Sequence, residues 1–117
     1  MRVAVHRIPG VVLTDHRFVV PLDPAKPRGP KIAVFAREAV ASGKERADLP
    51  WLVFFQGGPG SEAPRPDGAS GWLKRALAEF RVLLLDQRGT GRSTPIMARS
   101  LSRLLNPDAQ AEYLSHF

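Results

Sequence analysis

The sequence predicts an α/β protein on three observations. Trp51–Phe55 is a continuous apolar run of strand length, Val82–Leu85 is a second, and the stretch between them has the period of an amphipathic helix. A strand wet on one face alternates apolar and polar residues, whereas one buried on both faces does not. Trp51–Phe55 therefore reads as a central strand. From Ser70 to Phe80, residues Trp72, Leu73, Ala76, Leu77 and Phe80 fall on one side of a helix and Lys74, Arg75 and Glu79 on the other, with Ser70 suited to the N-cap. Strand, helix, strand is a βαβ unit, whose two strands run parallel.

The remaining segments follow in order. Residues 1–38 read as β-structure: Val11–Leu13 is a strand, Thr14, Asp15 and His16 a turn, Phe18–Val20 a second strand and Ile32–Phe35 a third. Pro21, Pro24, Pro27 and Pro30 punctuate the connection before Ile32, because proline lacks an N–H and fixes its own φ. Ser42 to Asp48 is a second polar connection. After Ser93, Met97, Leu101, Leu104 and Leu105 keep helical spacing. Asn106 and Pro107 end that helix or start another, on which Tyr113, Leu114 and Phe117 form the apolar face. The reading is one domain with N-terminal β-structure over 1–38, a βαβ core over 51–93 and a helical segment over 94–117.

Composition narrows the function classes. The 117 residues carry a formal charge of +6, but lysine and arginine are interspersed with acids from Arg2 to Arg103 rather than gathered. A nucleic-acid partner is therefore not expected. There is no cysteine, which removes disulfides and thiolate chemistry, and no metal or cofactor is expected. His6, Arg7 and Pro9 interrupt the opening apolar residues before a leader could form, and no run approaches the roughly 18 apolar residues of a membrane span. A cytoplasmic protein without a membrane partner is the expectation.

Two motifs carry chemical information. The first, Gln56-Gly57-Gly58-Pro59-Gly60, directly follows the first apolar run. Glycines remove the Cβ atoms that keep a substrate carbonyl from the backbone, so such a loop can aim an N–H at the oxygen of a tetrahedral intermediate. Pro59 stiffens the loop. The alternative is a tight turn that happens to be glycine-rich. A phosphate-cradling loop is the weaker reading, because Ser61 and Glu62 follow Gly60 where a P-loop needs Lys and then Ser or Thr, so no Walker motif is present.

The second motif is Asp86-Gln87-Arg88-Gly89-Thr90-Gly91-Arg92-Ser93, directly after the other run. Asp86 can accept from N–H groups of the turn, Gly89 and Gly91 permit its curvature, and Arg88 or Arg92 can tie it to nearby carbonyls. Scaffolding is the main reading, substrate contact the other. The G-x-G-x-x-G of a dinucleotide site is incomplete here.

Taken together, a strand ending in Q-G-G-P-G, a helix starting near Gly71-Trp72-Leu73 and a strand ending in D-Q-R-G-T-G-R-S resemble the N-terminal part of the α/β-hydrolase proline iminopeptidases. Val20-Pro21-Leu22-Asp23 and Ala111-Glu112-Tyr113-Leu114 extend the likeness over most of the chain. The resemblance implies antiparallel N-terminal strands leading into a parallel sheet, and a serine aminopeptidase acting on peptides with N-terminal proline. It implies an oxyanion-hole N–H from Gly58, with Gly57 the second choice, and places Gln56, Pro59 and Gly60 at the substrate. Gln56 departs from the His usual at that position in smaller iminopeptidases, which leaves the substrate preference open.

In that fold the nucleophile sits in a G-x-S-x-G elbow, with Asp and His further on. None of Ser61, Ser70, Ser93, Ser100, Ser102 and Ser115 has that flanking, and His6, His16 and His116 lie outside the places the family's histidine occupies. The 117 residues are therefore expected to be inactive alone. Ester or epoxide hydrolysis, and a non-enzymatic binding module, are the alternatives.

Overall fold

The structure, a computed structural model, describes residues 1–56, 62–94 and 107–116. Arg2–Ile8 (β1) and Val11–Pro21 (β2) form an antiparallel hairpin closed by Pro9 and Gly10. Gly10 has φ 76°, a left-handed conformation that a Cβ would oppose. Lys31–Ala41 (β3) then pairs with β2 along its whole length, from Val11 opposite Ala41 to Pro21 opposite Lys31.

The turn expected at Thr14–His16 is not formed, because these residues lie inside β2. Their polarity follows from the faces they occupy. Asp15 is buried and pairs with Arg37 directly opposite on β3, while His16 reaches Glu38 at 2.9 Å. A carboxylate matched by a guanidinium across the ladder leaves the strand no reason to turn. The proline-rich connection does leave the ladder, and Leu22 N bonds Pro30 O at 2.9 Å to close it.

Trp51–Phe55 (β4), Gly71–Leu77 (α1) and Arg81–Leu85 (β5) follow, and the strand order is β1-β2-β3-β5-β4. β5 lies between β3 and β4, antiparallel to the first and parallel to the second, so the sheet is mixed. β4, read from the sequence as a central strand, stands last in this order among the described residues. Among the described residues it is hydrogen-bonded along one edge only, and Trp51 and Phe55 are 53% and 57% exposed. Its apolar character suits two covered faces, but the described residues cover only the one bearing Phe54.

The covered face holds the core. Val11, Leu13, Ala39, Val82 and Leu84 of the sheet meet Leu73 and Leu77 of α1, with Ala63 beside them. Each fully buried leucine contributes about 1.5–3 kcal/mol. The helix is shorter than the Ser70–Phe80 pattern, and the Ser70 hydroxyl makes no cap bond, although its carbonyl accepts from Lys74 N at 3.3 Å. Trp72 is 45% exposed rather than packed inward. Successive helical residues differ by about 100°, so with Leu73 and Leu77 inward Trp72 falls at the margin, where it stacks on Phe54 at 4.9 Å.

Pro107–Leu114 (α2) starts at proline, as expected, with Asp108 in its first turn. Leu114 is 43% exposed, so the apolar face expected of it is not buried there. The side chain of Tyr113, Phe117 and the helical positions Met97, Leu101, Leu104 and Leu105 lie outside the described residues.

Candidate functional site at the ends of two parallel strands

Phe55 pairs with Leu85 in the parallel ladder, so Gln56 and Asp86 leave the sheet at the same end. Loops at the carboxyl ends of parallel strands are where α/β proteins place their ligands. Gln56 is half-buried at the end of β4, whereas Gly57, Gly58, Pro59 and Gly60 lie outside the described residues. The description resumes at Glu62, and from there the second motif governs the geometry.

Asp86 is fully buried and its carboxylate is fully occupied. Oδ1 accepts from Ala63 N at 2.9 Å and Arg65 Nη1 at 3.1 Å, and Oδ2 from Arg65 Nη2 at 2.5 Å and Arg92 N at 2.9 Å. Burial pushes the carboxyl upward, but the Arg65 bonds and the Arg92 and Ala63 amides outweigh it and hold it below its ordinary value. Asp86 is thus a charged knot between the connection leaving β4 and the loop leaving β5.

The rest of that loop continues the sheet. Beyond the last β5 pair, Asp86 N bonds Phe35 O, and the Ser93 hydroxyl accepts from Phe35 N at 2.8 Å while donating to Asp86 O at 2.6 Å. Thr94 N donates to Ala33 O, and Thr94 Oγ1 accepts from Ala33 N, both at 2.8 Å. Ser93 is buried with its hydroxyl bonded to main chain both as donor and as acceptor, an arrangement that holds backbone. Between these anchors Thr90 N and Oγ1 both donate to Gln87 O.

Gly89 has φ 82° and Gly91 φ 49°, and a Cβ on Gly91 would overlap the Asp86 carboxylate. Arg88 points away from this knot. It donates to Leu22 O at 2.8 Å and His116 O at 3.1 Å, tying the end of β2 and the residues after α2 to the loop.

Arg92 joins the knot to a second buried acid. Its Nη1 donates to Asp15 Oδ2 at 3.1 Å, and Asp15 also accepts from Arg37 Nε at 2.6 Å and lies 3.0 Å from His6 Nε2. Burial raises the Asp15 carboxyl, yet the bonds from Arg37, His6 and Arg92 and the Arg37 charge together bring it down to about 2. The buried Phe35 ring lies beneath the cations, with the guanidinium carbons of Arg92 and Arg65 at 4.2 and 5.2 Å from its centroid.

Asp86, Gln87, Arg88, Gly89, Gly91, Arg92 and Ser93 share one loop, as the sequence predicts, whereas Arg65 carries no motif and Asp15 reads there only as a turn residue. The available signal for Asp15 was a lone acid inside an apolar stretch, which demands a partner. Arg65 carried only its flanking prolines, Pro64 and Pro66. Among the described residues no cluster of His, Asp and Glu could hold a metal ion.

A mixed sheet whose two parallel strands bring Gln56 and Asp86 out at the same end defines an α/β protein. Sequence comparison gives the relatives. Over 109 residues, 92% of this chain, it is 54% identical to a proline iminopeptidase of Aeromonas sobria. Over 115 residues, 96% of the chain, it is 39% identical to the proline iminopeptidase aneH of Aspergillus aculeatus. The chain is a homologue of the proline iminopeptidases along nearly its whole length, and it spans about a quarter of the length of the curated relatives it matches. No protein-family model matches it.

Proposed function

We propose that the full-length gene product is a serine aminopeptidase that releases N-terminal proline from peptides. A serine outside these 117 residues attacks the carbonyl of the terminal proline while a histidine takes its proton. The backbone N–H of Gly58, or of Gly57, stabilises the oxygen that becomes negative. The shortened peptide leaves with a proton from the histidine, and water then releases proline from the acyl-enzyme. Gln56, Pro59 and Gly60 border the substrate in this scheme.

The observation that carries the reading is the in-register parallel pairing of Phe55 with Leu85, which brings the starts of both motifs to one end of the sheet. Sequence identity of 54% to a protein named proline iminopeptidase supports it. The test is hydrolysis of proline p-nitroanilide by the full-length product, beside its N-acetylated form. Release from the compound with the free secondary amine alone is expected, whereas equal turnover of the blocked compound, or turnover of simple esters only, would displace the reading. Gly58→Val in that protein keeps the N–H but adds a branched side chain that displaces it, and is expected to lower kcat by up to about 100- to 1000-fold, the effect of losing one oxyanion donor.

A further inference from the structure

The segment after Gln56-Gly57-Gly58-Pro59-Gly60 grips Asp86 twice. Its main chain does so through Ala63 N at 2.9 Å, and its side chain through both terminal nitrogens of Arg65. Arg65 Nη1 also donates to Ala63 O at 3.1 Å, so the fork and the segment's backbone are one rigid unit. Pro64 and Pro66 fix φ on either side of Arg65. Beneath it the Phe35 ring supports the guanidinium, and the same ring supports Arg92, whose N–H takes the remaining position on Asp86 Oδ2. On the near side, Phe55 is held in register with Leu85, the residue before Asp86. Phe55 before the connection and Ala63 and Arg65 after it are thus fastened to the consecutive residues Leu85 and Asp86, the last of β5 and the first beyond it.

We infer that Arg65 and Asp86 are a positioning pair for the proposed reaction, setting where the connection after β4 stands relative to the loop after β5. This rests on the reading of the protein as a proline-releasing hydrolase. The pair touches no reacting atom. It acts through the backbone it holds, so its loss degrades the arrangement of the transition state and leaves ground-state binding of the substrate in place. A misplacement on the order of 1 Å is enough to cost up to about 100-fold in rate.

The experiment compares wild type, Arg65→Met and Arg65→Lys in the full-length product, with proline p-nitroanilide kinetics and hydrogen exchange at the Ala63 and Arg92 amides. Arg65→Met is expected to lower kcat about tenfold with KM within about twofold, and to speed exchange at both amides about tenfold or more. Arg65→Lys, which keeps the charge and loses the fork, is expected to recover part of both effects. A folded Arg65→Met protein with unchanged kcat overturns the inference, as does a rise in KM at constant kcat.

Should wild type release no proline, the functional reading fails on its own. The exchange measurement then decides whether the pair fastens the two segments, and unchanged protection at Ala63 and Arg92 overturns that. If Arg65→Met does not fold, Arg65→Lys carries the test, and wild-type kcat and exchange in that variant overturn the inference.

Discussion

The guanidinium of Arg65 meets both carboxylate oxygens of Asp86, Nη1 on Oδ1 at 3.1 Å and Nη2 on Oδ2 at 2.5 Å, although the two residues are 21 apart in the chain. Asp86 is fully buried and Arg65 is not, so the acid depends on the base more than the reverse. Removing one partner of a buried pair leaves a charge or a set of donors that water cannot reach.

Asp86→Ala is accordingly expected to destabilise the full-length protein by about 3–5 kcal/mol, since the Ala63 and Arg92 amides and the Arg65 fork lose their acceptor together. Urea unfolding at neutral pH measures it. A loss under about 1 kcal/mol would mean that water replaces the carboxylate.

Much of this architecture was legible in the chain, for a physical reason. Val82–Leu85 and Trp51–Phe55 are apolar without alternation, and Leu73 and Leu77 repeat at four residues, so local pattern alone identifies a βαβ unit. Asp15 was misread because its partner Arg37 is 22 residues away, and only the β2–β3 register reveals that they stand opposite. Trp72 was misassigned for a related reason. A helical stripe has margins, and which large residue falls on one depends on the neighbour it meets, here Phe54 at 4.9 Å. Arg65 left no local trace because its role exists only once β5 brings Asp86 beneath it.

Asp15 makes a prediction about pH. Its carboxyl is held at about 2 in the folded protein against an ordinary value of 3.8, so the folded state binds its proton less readily than the unfolded chain. That stabilisation is complete above the unfolded value and is lost as pH falls from about 4 to about 2. It amounts to about 2 kcal/mol. Between pH 5 and 2, wild type should lose that much more stability than Asp15→Asn, a difference that excludes the other carboxylates common to both. Parallel stability curves would show that Asp15 titrates alike in both states.

Gly91 and Gly43 separate backbone strain from crowding. Both have positive φ, 49° and 89°, but nothing lies within 4 Å of a Cβ on Gly43, whereas one on Gly91 would overlap the Asp86 carboxylate. Gly43→Ala is expected to cost about 1–2 kcal/mol, the left-handed penalty alone. Gly91→Ala should cost at least about 1–3 kcal/mol more, because the overlapped group is a fixed, buried acceptor. Equal losses in thermal unfolding would place the whole effect in the backbone.

Ser93 tests the division between scaffold and chemistry. Its hydroxyl bridges Phe35 N and Asp86 O, so Ser93→Ala leaves a buried amide without its acceptor and should cost about 1–3 kcal/mol. A nucleophile would lose nearly all turnover on the same change. The folded variant of the full-length protein is instead expected to keep kcat within about tenfold of wild type, and a loss of several thousandfold would reassign Ser93 to the reaction.

The last prediction concerns the 117 residues expressed alone. Trp51, Val53 and Phe55 are exposed on a strand whose outer edge has no hydrogen-bonded neighbour among the described residues, and Phe18 is exposed beside them on the same face. An apolar edge strand invites a second copy to add to the sheet. The isolated chain should therefore associate at concentrations on the order of 10 μM, and Val53→Lys should raise the soluble fraction by placing a charge on that strand. It should also leave proline p-nitroanilide intact, because no G-x-S-x-G occurs in its sequence. Sedimentation and the anilide assay address the two parts separately. A stable monomer would show that the edge is protected by other means, and proline release would place a nucleophile within residues 1–117.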